Sequence, residues 1–228
     1  MKEEKRLLGS IWSSLTVVIA LGAADPRAVL IPQVKAGATL SYTDTLHYAG
    51  AHHDFGGPVL IDIKQVTPTA IAFRYTSIRG ASKNLQDLSL NKADLSISPS
   101  NATIASAPFS YTRGVFGEPP RDFAAGKSWT VDVPQSMLGG RGKLTVTVVS
   151  LDQAASSCTL GLQYEATWDT QTRFGDYYVK GKVRRESRGT VTFRHGVMTE
   201  MRLHGIDHEM FPNQREGALY FDRVKKLK

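Results

Sequence analysis

The chain has 228 residues, of which 41% are apolar and 21% charged, with a formal net charge of +7 and one cysteine. A single cysteine excludes an intrachain disulfide framework, so the fold must be held by its core. Length and apolar content suit one domain of ordinary size.

The chain opens with Lys2, Lys5 and Arg6, then an apolar run from Leu7 to Ala24 that ends in Gly22-Ala23-Ala24 before Asp25-Pro26. A basic start, an apolar middle and a small-residue exit predict a signal peptide over 1–24, cleaved near Ala24, and a secreted or periplasmic destination. The alternative is a retained anchor. The run would span about 27 Å as a helix, short of a ~30 Å hydrocarbon core. No cysteine at the exit offers a lipid attachment site. Cleavage would remove three positive and two negative charges and leave a net charge of +6. The remainder divides into a linker over 25–32, one β domain over 33–224 and a basic tail over 225–228. No second long apolar run follows.

Alternation of period two dominates the β domain. It predicts strands over 39–48, 59–66 and 70–76, the last two joined at Thr67-Pro68. Shorter alternations occur at Leu88–Leu90 and Leu95–Ile97, with a small hairpin over 94–105. Residues 111–123 hold Gly114, Gly117, Pro119 and Pro120 and read as a loop. Further strands are predicted over 128–133, 143–151, 158–168, 177–185, 189–193, 198–207 and 218–224, with Arg194-His195-Gly196 as a tight hairpin connection. Helical periodicity is scarce. The fold class is therefore all-β: an antiparallel meander forming a curved half-barrel, a barrel or a sandwich. No long covering helix is available to the sheet's apolar face.

Several segments carry a resemblance. Ala125-Gly126-Lys127-Ser128-Trp129-Thr130-Val131 looks like the "V-G-D-x-W" strand start of a family of secreted bacterial β-rich proteins of unknown function. Lys143–Ser150 and Thr159–Thr167 resemble that family's paired strands. Gly189–Leu203 resembles its closing "G-x-x-x-F-x-x-x-G-x-x-x" hairpin, and Val34–Tyr42 echoes the same start pattern. In outline such proteins are similar to periplasmic lipoprotein carriers, half-barrels that shelter acyl chains under a lid. The resemblance implies a curved sheet and a carrier role, transfers no catalytic residue, and lacks a counterpart for the lid helix.

Chemistry-bearing motifs are few. No nucleophile elbow, zinc-protease helix or paired carboxylates for glycoside hydrolysis occur, and no cofactor fingerprint is present. Cys158 sits in a strand-like setting and reads as a small buried hydrophobe. His52-His53-Asp54 is one histidine cluster. Neighbouring residues of an extended segment point to opposite faces, so at most one of its histidines serves a given site. His204, Asp207 and His208 form the other, and could hold a metal for an assisted hydrolysis if a turn at Gly205 folds them together. A non-enzymatic binding role is the main expectation. Val146, Val148, Leu160, Leu162, Tyr164 and Phe193 would line an apolar cavity for a lipid or another hydrophobic ligand. Lys180, Lys182, Arg184 and Arg185 would meet an anionic head group at its mouth. The same basic residues suit an anionic envelope polymer or peripheral membrane contact. They lack the interleaved aromatics of a single-strand nucleic-acid platform, so no nucleic-acid partner is expected. A structural or interaction protein of the envelope is the remaining alternative.

Overall fold

The computed structural model describes residues 25–50, 54–79, 82–99, 109–133, 141–174, 177–212 and 217–228. The predicted signal peptide, His52-His53, the second strand of the expected 94–105 hairpin and Gly139-Gly140 lie outside these residues. Among them, no helix is long and apolar enough to cross a membrane.

Among the described residues, eleven antiparallel strands form one sheet. They are β1 Thr39–Tyr48, β2 Phe55–Val66, β3 Ala70–Arg79, β4 Ser82–Asn91, β5 Ile97–Ser98, β6 Ser128–Val133, β7 Arg141–Asp152, β8 Ser157–Phe174, β9 Tyr177–Arg194, β10 Val197–Met210 and β11 Gly217–Leu227. The spatial order is β5-β4-β3-β2-β1-β11-β10-β9-β8-β7-β6, so strands consecutive in sequence pair everywhere except between β5 and β6, and β1 pairs with β11. The sheet has two edges, β5 and β6, and does not close into a barrel. The expected meander is present and the closed-barrel alternative is corrected. The chain between the edge strands explains why: residues 109–126 fold into the concave face instead of adding strands.

Alternation decides what that face carries. Tyr42 on β1, Val59, Ile61 and Ile63 on β2, Ile71 and Phe73 on β3, Leu160, Leu162 and Tyr164 on β8, and Val191 and Phe193 on β9 are buried in one core cluster. The segment 109–126 supplies the opposing layer. Phe109, Tyr111, Val115, Phe116 and Phe123 are buried, the middle ones on a single helical turn, α1 (Arg113–Phe116). Phe109 packs edge-on to Phe73 at 4.8 Å, and Phe116 edge-on to Phe193 at 6.0 Å. Backbone bonds anchor this aromatic plug. The Met198 amide donates to the Phe109 carbonyl at 2.7 Å, and Ser110 bridges to Val197. The Trp129 indole donates to the Phe116 carbonyl at 2.6 Å, and the buried Tyr111 hydroxyl donates to Gly117 at 2.9 Å. The expected loop over 111–123 is thus the covering element that the sheet required, made of side chains rather than of a long helix.

The 3-10 turn Pro26–Leu30, capped by the Asp25 carboxylate accepting from the Arg27 amide, buries Val29 and Leu30 at the same end. The following chain lies against the β9–β10 turn, where His195 and Gly196 both have positive φ, as a type I′ connection demands. A Cβ at Gly196 would fall 2.2 Å from the Ile31 backbone, so only glycine allows this approach.

Most strands run longer than expected, β8 by six residues at its far end and β2 by four at its start, and two differences change the reading. The segments 177–185 and 189–193 are one strand, β9, because Gly189 continues the ladder opposite Leu162 and Leu203. Residues 225–227 belong to β11, so the expected basic tail begins only at Lys228. Tyr42 pairs with Leu227, and Asp44 with Lys225, which locks the terminus into the sheet.

The two ends of the sheet differ. The turns at 67–69, 153–156 and 195–196 lie at the plugged end. Tyr48, Phe174, Tyr177, Met210 and Gly217, where β1, β8, β9, β10 and β11 end or begin, lie at the far end. There β7 stops at the Arg141–Thr167 pair and β10 at the Met210–Lys182 pair, while β8 and β9 continue to Phe174–Tyr177. The result is a two-stranded arm about 15 Å long, from the Thr170–Gly181 pair onward.

Candidate functional site

Towards the far end the inward positions of the central strands change from apolar to charged. Asp44 on β1, Arg185 on β9, Asp207 on β10, and Arg223 and Lys225 on β11 are all buried. Their placement follows from period two. Phe221, Arg223 and Lys225 share the inner face of β11, whereas Asp222, Val224 and Lys226 face outward.

Arg185 is held on every side. Its Nε and Nη2 each donate to Asp207 at 2.6 Å, a two-point pair, and Nη2 also donates to the Tyr48 hydroxyl at 3.1 Å. The guanidinium carbon lies 4.4 Å from the Phe221 ring centroid and 5.2 Å from that of Trp168. Such faces attract a cation, and a fork-to-fork carboxylate pair fixes its plane. Burial works against the charge, and the Asp207 hydrogen bonds with its negative charge more than offset it, so the Arg185 pKa is raised. Gly205 makes room for Phe221: a Cβ there would meet the ring at 2.7 Å. Arg223 repeats the arrangement, donating to Asp44 through Nε at 2.9 Å and Nη2 at 2.7 Å.

Lys225 has no such partner among the described residues. Its residue is 0% exposed, and its Nζ makes no hydrogen bond. Its single directed contact is the Tyr42 ring, 5.0 Å away. Loss of hydration pushes the amine down to about 7; Asp44 opposes this shift and Arg223 adds to it. A buried polar group without a partner is rare in a folded protein and marks a place where structure alone gives no reason for the residue. The Ser187 hydroxyl on the same face is likewise buried without a partner.

Among the described residues the concave face thus buries three basic side chains against two carboxylates. Sequence reasoning missed it, Arg185 apart. The signal was weak: β11 reads Phe-Asp-Arg-Val-Lys-Lys, with charges on both faces, and nothing local says which lysine is inside.

The residues expected from sequence separate into three groups. Val146, Val148, Leu160, Leu162, Tyr164 and Phe193 stand together as one wall of β7–β9, each nearly or fully buried, and Phe116 and Tyr111 of the plug lie against Phe193. The chain itself covers this wall at that point. Lys180, Lys182 and Arg184 face outward and are exposed, with Arg184 paired to Glu186 at 2.7 Å, whereas Arg185 points into the concave face. The four basic residues therefore do not form one mouth.

The metal trio is not assembled. β10 runs unbroken through Gly205, so the required turn is absent. His204 lies on the convex face, 3.2 Å from Asp222, and Asp207 on the opposite face is engaged by Arg185. No cluster of three ligating side chains occurs among the described residues. Cys158 is buried, and burial pushes its thiol up to about 12, the behaviour of a packing residue rather than a nucleophile.

No protein-family model matches the chain, and no curated protein matches it.

Proposed function

We propose that the chain is an exported envelope protein that binds an amphiphile carrying one anionic group. The head group pairs with Lys225 on the concave face, and the apolar part lies along the aromatic side chains Tyr48, Phe55, Trp168 and Phe221. The observation that carries this reading is the buried, unpartnered Lys225 amine. Arg185 and Arg223 are already neutralised by their carboxylates, so one negative charge balances the face. The aromatic tier supports an apolar tail: Tyr48 packs against Phe55 at 6.1 Å and against Phe221 at 5.9 Å. Export and an envelope location rest on the basic and apolar start of the sequence.

The reading has a pH signature. An anion prefers the protonated amine, so binding takes up a proton near neutrality. Affinity for a fluorescent fatty-acid probe is expected to rise as pH falls from 8 to 6, and to be weaker and flat in Lys225→Met. Native mass spectrometry of protein purified from its own host is expected to show one bound acidic lipid. Protein that emerges ligand-free and does not bind the probe defeats the reading, leaving a structural or interaction role in the envelope.

A further inference from the structure

We propose that the convex face of the β8–β9 arm, with the adjoining ends of β10 and β11, docks onto an anionic lipid bilayer. The inference rests on the arm and its neighbours, and does not depend on a ligand at Lys225.

Tyr178, Lys180 and Lys182 alternate along the outer face of β9. Tyr178 is 62% exposed, and both lysines are exposed and without an ion pair among the described residues. Lys182 stands opposite Met210, which is 40% exposed, and Tyr220 on β11 is 62% exposed. These are unusual residues to leave in water together. Three of the eight exposed large hydrophobic residues among those described, Tyr178, Met210 and Tyr220, lie on the outer face of β9–β11 in this half of the sheet. The acidic residues nearby do not cancel the lysines. Asp169 stands across from Lys182 and offsets part of its charge, but Lys180 faces Gln171 and keeps its charge, and Glu186 is taken by Arg184.

Free lysines beside exposed tyrosines and a methionine match the chemistry of a membrane surface. Ammonium groups meet phosphates, while amphipathic rings settle at the head-group level. The arm also has the necessary reach. From Thr170 and Gly181 onward it has no neighbouring strand among the described residues, so it extends past the ends of β7 and β10. Where β10 leaves it, Lys180, Lys182, Met210 and Phe211 border an open depression of about 790 Å³, wide enough for head groups. The Phe211 ring lies directly on Gly181, where a Cβ would be 2.5 Å away, which keeps this corner in shape.

The test must separate the arm from the apolar N-terminal run, which would itself enter lipid. A site-specific reporter does so. In the full chain, an environment-sensitive fluorophore is attached at Tyr178→Cys, and in a second preparation at Val149→Cys, an exposed convex position near the plugged end. Cys158 is buried and is not labelled. With vesicles of phosphatidylcholine containing phosphatidylglycerol, the label at 178 is expected to shift to the blue and brighten at least twofold, while the label at 149 does not. In Lys180→Glu/Lys182→Glu the vesicle concentration at half-change is expected to rise at least about tenfold, and in 0.5 M salt to rise similarly, as surface charges are screened. An unchanged label at 178, an equal response to pure phosphatidylcholine, or an unaffected double variant overturns the proposal. Both lysines are exposed, and an unaltered thermal midpoint confirms that the variant folds.

Discussion

The two ends of the concave face solve the same problem by different physics. At the plugged end the chain covers its own sheet with Phe109, Tyr111, Phe116 and Phe123, and the buried Tyr42 and Tyr111 hydroxyls there donate to backbone carbonyls. At the far end the sheet buries titratable groups, four of them in two tight pairs and Lys225 by itself. Apolar packing is stabilising in proportion to area removed from water. A buried ion pair roughly balances its dehydration against its attraction, and a lone buried amine is a net loss. The first end is thus what holds the fold, and the second is where the fold gives up stability for something else.

Breaking one partner in each region sharpens that contrast. Asp207→Ala strands the Arg185 guanidinium and is expected to destabilise by about 3–5 kcal/mol. Replacing both, as Arg185→Met with Asp207→Leu, is expected to recover most of that loss. Phe116→Ala at the plugged end is expected to cost a similar ~3–5 kcal/mol, through the cavity it leaves, with no second-site rescue of that kind. Urea denaturation of the four proteins decides it. A double variant as unstable as Asp207→Ala would mean that the pair holds the sheet rather than merely tolerating burial.

Lys225→Met should move in the opposite direction. In the unfolded chain the amine stays protonated to about pH 10.4, and in the folded chain only to about 7. Between those values the unfolded state holds the extra proton, so stability rises with pH across the window, and the penalty is fullest at and below pH 7. The variant is expected to be more stable than the parent by about 2 kcal/mol at pH 7, with the gain fading as pH approaches 10. The measurement is the denaturation midpoint at pH 7, 8.5 and 10. A destabilised variant, or a gain constant with pH, would show that the amine has a partner in solution.

How much of this could be read from the sequence follows from what each pattern encodes. Alternation specified the meander, because period two is local and each strand carries its own inner face. The tight turn at His195-Gly196 was legible for the same reason. The plug was not. Tyr111–Phe123 is rich in glycine and proline and reads as a loop, and only tertiary contact with residues such as Phe193 makes its aromatic side chains a layer of core. The missing cover and the aromatic-rich loop were both visible, but nothing local joined them. The buried charges were harder still. Lys225 lies within two residues of Arg223, Lys226 and Leu227, and its burial depends on the pairing of β11 with β1 across more than 170 residues of chain. Arg185 was singled out with Lys180, Lys182 and Arg184 as one basic group, although alternation alone puts it on the face opposite all three. Applying period two to the charged residues as strictly as to the apolar ones would have found it.

A smaller effect is expected where the plug meets the edge strand. Trp129→Phe removes the indole donor to the Phe116 carbonyl but keeps an aromatic ring beside Phe123. The carbonyl still accepts from the Tyr111 hydroxyl at 3.1 Å, so no buried acceptor is orphaned. The expected loss is about 1 kcal/mol, the net worth of one ordinary hydrogen bond. A loss as large as that of Phe116→Ala would mean that the indole anchors the whole plug.

The smallest effect belongs to a pair with the same geometry as Arg185–Asp207 but on the opposite face. Arg74 on β3 donates to Asp87 on β4 through two nitrogens, both at 2.8 Å, and both side chains are well exposed. The hydrogen bonds to Asp87 raise the Arg74 pKa, and those from Arg74 lower that of Asp87, so the pair exists in an ionised form across the neutral range. Water solvates each partner when the other is removed, and salt screens what attraction remains. Arg74→Ala is therefore expected to leave the thermal midpoint unchanged in ordinary buffer, and Asp87→Ala likewise. Set beside Asp207→Ala, the comparison holds bond geometry nearly constant and varies only burial. Equal losses from the two pairs would show that bond geometry, rather than the missing water, sets the energetics of the concave face.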